Sequence, residues 1–340
     1  MSDETEEIST ELAEANVIDS AIDIITDAAS GIPKPIRKNA LKAFAQLCTA
    51  AVEIPVAHLE GIAAEKRAET RARIKIIDTQ ANLIASQMEV DPEYARVAVK
   101  KYGQKIIREQ VNLDAITEIA AEELTNSAQV NIDNTEIPDI SQDWLNVFEK
   151  EACDKSSDEM RLLFGKILAG EIKKPSSYSI KTIKTLSLLD NQAANVFHTL
   201  SSLASTLRAG NHIIDSRVIT LGGNAGSNAL QEYGLSFSAL NTLQEYGLVI
   251  SDYNSYMDYD PCVVNENNQV VLGFQFQGKL HALRKIDASK PVQNIRMHGV
   301  ALTKVGKELL DIVDIKPHPQ YTNKLFEYFT AKGFECVELR

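Results

Sequence analysis

With 340 residues, 44% of them apolar and 24% charged, the chain has material for more than one packed core, which excludes disorder throughout. A formal net charge of −12, from 47 acidic against 35 basic residues, repels nucleic-acid backbones and anionic lipid, so any phosphate-binding role needs a local basic patch. Cys48, Cys153, Cys262 and Cys336 lie far apart, without C-x-x-C pairs or histidines at zinc-ligand spacing, a pattern that fits reduced thiols in a cytoplasm and implies neither metal nor cofactor.

The acidic opening, residues 1–7, lacks the basic and apolar segments of a secretory leader. Residues 16–29 place Val17, Ile18, Ala21, Ile24, Ile25 and Ala28 on one helical stripe, which Gly31, Pro33 and Pro35 terminate. A second helical stretch follows to about residue 54. Residues 40–64 are the most membrane-like part of the chain, but they carry Lys42, Glu53, His58 and Glu60 around Pro55, so no integral insertion is expected. The alanine-rich run 59–86 reads as a solvated helix, because its arginines and lysines alternate with Glu65, Glu69 and Asp78. Helix continues over 90–124 with soft breaks near Pro92 and Gly103, and the polar stretch 125–139 reads as a linker.

In the central block, 139–205, Ser156 is expected to cap a helix with Glu159 as its capping-box partner. Met160, Leu163, Phe164, Ile167 and Leu168 form the buried stripe, and Gly170 is expected to end the helix. The serines after Pro175 precede a helix over 180–189, and Asp190 is placed to cap the next one. Beyond Ala209 the period changes. Residues 213–221 read as extended and 227–233 and 236–246 as two short helices across Gly234. The repeated Gln-Glu-Tyr-Gly-Leu at 231–235 and 244–248 marks two helix ends with glycine in the left-handed position. Strands are expected at 248–251, 270–276 and 294–302, then a helix capped by Thr303 to Val313, a helix over 322–331 and an extended end at 334–339.

The central block carries a family signal in Asp143-Trp144, Ser157-Asp158-Glu159-Met160, the run Gly165 to Glu171, and Pro175-Ser176-Ser177-Tyr178-Ser179. It resembles the bacterial Domain of Unknown Function family twenty-eight-zero-six, departing at Ser176, where glycine is expected, and at Tyr178, where phenylalanine is usual. More distantly, the layout with Leu302, Thr303 and Gly306 resembles the abortive-infection alpha proteins. The resemblance implies a bacterial setting in phage defence or on a mobile element, and it supplies no catalytic residue.

The fold expected is α+β and mostly helical. Residues 1–130 form a helical region for self-association or partner binding, 139–205 the central helical block, and 206–340 a winged-helix-like unit with a small antiparallel sheet. No catalytic, cofactor or metal residue stands out. Gly222 to Ser227 lacks the lysine and spacing of a phosphate loop, and no Gly-x-Ser-x-Gly occurs. His58, His198, His212, His281, His298 and His318 are scattered, with His281 and His298 placed to meet only across a hairpin. Cys153 lies beside Asp154 and Lys155 without a sequence-level sign of an activating base, and reads as a structural thiol. Asp143, Asp158, Glu159 and Glu171 read as helix-start charges and surface residues. Trp144, Gly165, Leu168, Gly170 and Glu171 are the expected structural or interaction residues, with Trp144 a core or interface anchor.

The leading functional reading is a non-enzymatic interaction or scaffold protein, as a homo-oligomer or with a protein partner. The runner-up is a DNA-binding regulator through the helix-turn-helix-like segment 227–248, disfavoured by charge. The third is a nuclease or hydrolase whose residues converge only in three dimensions.

Overall fold

A computed structural model describes residues 32–48, 91–126 and 137–339, apart from 211, 225, 253, 266, 268, 288 and 290–293. The expected helices at 16–29 and 59–86, and most of the 125–139 linker, lie outside the described residues. The chain divides into two compact units, Met1–Ile183 and Lys184–Arg340. Among the described residues, no helix is long and apolar enough to cross a membrane.

In the first unit, α1 (Lys34–Leu47) starts at a proline-rich entry, and α2 (Pro92–Asn126) runs unbroken for 35 residues. The expected break near Gly103 does not occur, and the one near Pro92 coincides with the start of the helix. Pro92 is the first helical residue, where a missing N–H is harmless, and Asp91 accepts from the N–H groups of Glu93 (2.7 Å) and Tyr94 (3.3 Å). Gly103 lies on an open stretch where a side chain would meet nothing within 4 Å. Two further helices follow, α3 (Gln142–Ala152) and α4 (Asp158–Lys173).

Buried and half-buried amides tie these helices together where apolar contact alone would let them slide. Asn39 donates to the Pro138 carbonyl and accepts from Ile140 N–H, both at 3.0 Å, and Gln110 donates to the last carbonyl of α1, that of Leu47, at 2.9 Å. Asn112 donates to the Cys153 carbonyl while accepting from Arg161, both at 2.7 Å. Satisfied polar groups of this kind fix a register, because any slip strands them without partners.

The second unit is mixed α+β. After α5 (Ile180–Leu188), along which the division between units falls, α6 (Asn191–Leu203) starts on Asp190, whose carboxylate accepts from Ala193 N–H at 2.7 Å, as expected of its position. The strands are β1 (Ser205–Ala209), β2 (His212–Ile219), β3 (Val249–Ile250), β4 (Tyr256–Asp258), β5 (Phe274–Phe276), β6 (Lys279–Lys285), β7 (Arg296–Leu302) and β8 (Phe334–Glu338). They form one sheet ordered β3-β7-β2-β1-β5-β6-β8, with β4 also pairing β7, and every pairing is antiparallel.

Residues 229–233 form a 3-10 turn in place of the expected helix, followed by α7 (Phe237–Glu245). Gly234 and Gly247 have φ of 86° and 69°, so the repeated pentapeptide does end on left-handed glycines. Helix α8 (Lys304–Leu310) is capped by Thr303 and stops three residues short of Val313, and α9 (Pro319–Ala331) begins three residues before its expected start.

Tyr259, Phe274, Phe276, Tyr321 and Phe329 form the core between the sheet and α9. Tyr259 meets Phe274 and Phe329 edge-on at 5.3 and 5.4 Å, and its hydroxyl is satisfied by Ser205 at 2.7 Å.

His281, 5% exposed, stacks on Phe274 and touches Phe276 and Phe326, whereas His298 sits on β7 opposite Tyr256. Three strands lie between β6 and β7, so the two histidines do not meet. Burial holds His281 below the ordinary imidazole pKa, against the upward pull of the Lys279 carbonyl and Glu338, with Lys279 adding to the depression. The unfolded chain therefore takes up the proton first. This contribution to stability is complete above the unfolded value of about 6.5 and is lost as pH falls through the folded one. Urea midpoints should decline between neutral and mildly acidic pH, and His281→Phe should flatten that decline. An unaltered slope in the variant would assign the decline to other groups.

Candidate functional site

The family block folds into a clasp at one end of α3 and α4. Ser141 caps α3 by accepting from Trp144 N–H at 3.4 Å, which aims the Trp144 side chain inward from the first turn. The indole stacks on Phe148 at 5.1 Å, Phe148 leans on Phe164 of α4 at 5.6 Å, and the indole N–H donates to the Tyr178 carbonyl at 2.7 Å. From the last turn of α4, Glu171 reaches the same loop. Its Oε1 accepts from Ser176 N–H at 2.6 Å and its Oε2 from Tyr178 N–H at 3.0 Å, with the residue 2% exposed. The Tyr178 ring then lies over Gly170, where a Cβ would come within 2.5 Å of it. One aromatic and one carboxylate, on two helices, thus hold a single loop by its backbone.

Three expectations change here. The cap of α4 is Ser157, which accepts from Met160 N–H at 3.3 Å; Ser156 lies one residue outside. Gly170 does not end α4, which continues to Lys173; its lack of a side chain makes room for Tyr178. Glu171 is neither a surface nor a helix-start charge, since it is buried near the C-terminal end of α4, where two backbone N–H groups donate to it. Asp143, Asp158 and Glu159 are exposed in first helical turns, where their charge complements the helix dipole.

Gly165 does allow close approach. A Cβ there would lie 2.5 Å from Ile119 Cγ2 and 3.2 Å from the Ile116 carbonyl of α2. Leu168 is fully buried beside it.

Ser176 carries φ of 69°, in the left-handed region, where a side chain is disfavoured by about 1–2 kcal/mol. The glycine expected at this position thereby acquires a physical reason. Ser176→Gly should raise stability by about 0.5–1 kcal/mol once glycine's greater unfolded-state freedom is subtracted, measurable as a higher urea midpoint; a lower midpoint would contradict this.

A protein-family model described as "Protein of unknown function (DUF2806)" matches residues 96–326. The chain belongs to this family. The match runs from α2 into α9, so the family extends beyond the clasp into both units. Searches of curated proteins and of solved structures find no match.

Among the described residues, one cluster outside the clasp brings a distant carboxylate to an adjacent thiol and acid. Glu109 of α2, Cys153 and Asp154 place one potential ligand atom each within 4.8 Å of one another. Burial first, then Asp154, Glu109 and Glu149, push the Cys153 thiol up to about 11, and its S–H donates to the Lys150 carbonyl at 3.3 Å. Lys105 pairs with Glu109 at 3.3 Å. A divalent cation there would compete with the thiol proton and with the Lys105 ammonium, and the set has the electrostatics of a protonated thiol among acids. Glu109 was missed because 44 positions separate it from Cys153, far outside any ligand spacing.

The glycine-rich stretch is a turn, with Asn224 bridged to Ser227 and accepting from Gly226 N–H at 2.8 Å. His318 caps α9 by accepting from Tyr321 N–H at 3.3 Å, and His198 lies half-buried on α6.

Proposed function

We propose that the protein is a non-enzymatic interaction or scaffold protein whose second unit is an elaborated winged-helix-like module turned to binding a protein partner. The winged-helix reading is supported by the sequence α6, β1, β2, 3-10 turn, α7, β3, β7 and by the lateral order β3-β7-β2, with β1 continuing the sheet beyond β2 and β4 to β6 filling the connection where a wing would stand. The observation that carries the interaction reading is the exposed face of α7. It presents Phe237, Ser238, Asn241, Gln244 and Glu245, an apolar and neutral-to-acidic surface without the cations that phosphate contact requires. A bacterial cytoplasm and a role in phage defence or on a mobile element belong to this reading by analogy with the abortive-infection alpha proteins.

Duplex binding remains the second reading because of one feature, the exposed Arg296 guanidinium 4.4 Å over the Tyr256 ring on the β4–β7 ribbon. A photoreactive residue installed at Asn241 in the native cell separates the two. Protein adducts are expected. Nucleic-acid adducts, or salt-dependent duplex binding lost on Arg296→Ala or Asn241→Glu, would replace the first reading with the second.

A further inference from the structure

Charge is unevenly placed along the chain. No lysine or arginine precedes Lys34, while the same stretch holds nine carboxylates, six of them between Asp3 and Glu14. Residues 96–108 of α2 are the converse, with five cations in thirteen residues and no acid. Val97, Lys101, Lys105 and Arg108 recur there at intervals of three and four, so they share one face of the helix, and Lys100 flanks it. These five side chains are exposed, as is Tyr94, at 67%, one turn before Val97. Lys105 also reaches Glu109 at 3.3 Å, an exposed pair that leaves its ammonium open to a second carboxylate.

From this complementarity we infer that residues 3–14 dock in cis on the basic face of α2, so that the chain covers that face itself. Glu4, Glu7, Glu11 and Glu14 follow the same three- and four-residue intervals as the cations they meet, and Ile8 and Leu12 bring apolar side chains to Tyr94 and Val97. The tether is long enough. Its near end is Ile32, 1% exposed at the entry to α1. Helix α1 has 14 residues, a length of about 21 Å, and its last carbonyl is bonded to Gln110, two positions from Arg108. Residues 16–31 span up to about 53 Å when extended, and a tether of that kind keeps the acidic segment near α2 at roughly millimolar concentration. A nucleic acid, the other polyanion suited to such a face, is repelled by the same carboxylates that the tether holds nearby. Exposed ion pairs are individually weak and screened by salt, so this cover opens as ionic strength rises. The inference is independent of the reading of α7.

Two measurements on the full chain test it. Carbodiimide cross-linking at low ionic strength should join Lys100, Lys101 or Lys105 to carboxylates of residues 3–14. Mass spectrometry on a mixture of isotopically light and heavy protein should find each link within one label, as a cis contact requires. The second readout is acetylation by N-hydroxysuccinimidyl acetate, comparing wild type with the chain carrying Asp3→Asn, Glu4→Gln, Glu6→Gln, Glu7→Gln, Glu11→Gln and Glu14→Gln. Lys101 should react at least about threefold faster in the variant, and roughly 1 M salt, where the Debye length is about 3 Å, should bring the wild type up to the same rate. Lys324 of the second unit should react alike in both. Equal rates at Lys101, links of mixed label, or links confined to other lysines would each overturn the inference. A single-stranded oligonucleotide that protects Lys101 equally in wild type and variant would make nucleic acid the occupant and overturn it as well. Should the variant fail to fold, the wild-type cross-links decide.

Discussion

Leu168→Ala should lower the stability of the first unit by about 2–5 kcal/mol, read as a fall in urea midpoint at unchanged slope. The side chain is fully buried on α4, between Phe164 and Ile172 on the face that also carries Gly165 against α2. That close approach leaves the neighbouring backbones little room to collapse into the space a leucine vacates, which places the cost well above simple transfer. Leu162, 36% exposed on the same helix, is the control, and Leu162→Ala should stay within about 0.5 kcal/mol. Similar losses from the two substitutions would mean that α4 does not bury the face described.

Gly306→Ala should cost about 3 kcal/mol, at the upper end for overpacking, because the new methyl group meets a main-chain oxygen. A Cβ at Gly306 would overlap the Leu248 carbonyl, with Leu302 Cβ 3.3 Å away. The neighbouring Thr303 hydroxyl donates to the Gly247 carbonyl at 2.6 Å and caps α8 by accepting from Gly306 N–H at 3.2 Å. Leu302, Thr303 and Gly306 therefore lock α8 to the second Gln-Glu-Tyr-Gly-Leu turn, beside the Val249–Leu302 pairing of β3 with β7. Thermal unfolding of the second unit should move down by several degrees, and an unchanged transition would contradict the contact.

What was legible in the sequence was mostly local. Asp190 and Thr303 as caps, the left-handed Gly234 and Gly247, and the inward Trp144 all depend on neighbours within a few residues, and the structure places them as their chemistry suggests. The strands β1 and β6 were missed for a physical reason. Ser205 to Leu207 are buried on both faces, as are His281 to Leu283, so neither strand shows the alternation that marks a half-exposed one. Glu171 was misplaced because its partners, the N–H groups of Ser176 and Tyr178, become a binding site only after the loop has folded back over α4. The same holds for Glu109 beside Cys153, where the contact exists only once α2 packs along the end of α3.

The clasp explains why a motif rich in charge and aromatic groups need not face a substrate: its tryptophan and glutamate are both consumed in holding one loop. The most direct test is equilibrium urea unfolding of Glu171→Gln. A carboxylate offers an acceptor oxygen to each of two N–H groups, whereas the amide offers one and sets its own NH2 against the other, so a loss of about 1–3 kcal/mol is predicted. A midpoint indistinguishable from the wild type would show that the buried carboxylate is not there to hold the loop, and would contradict the structural assignment of the family block.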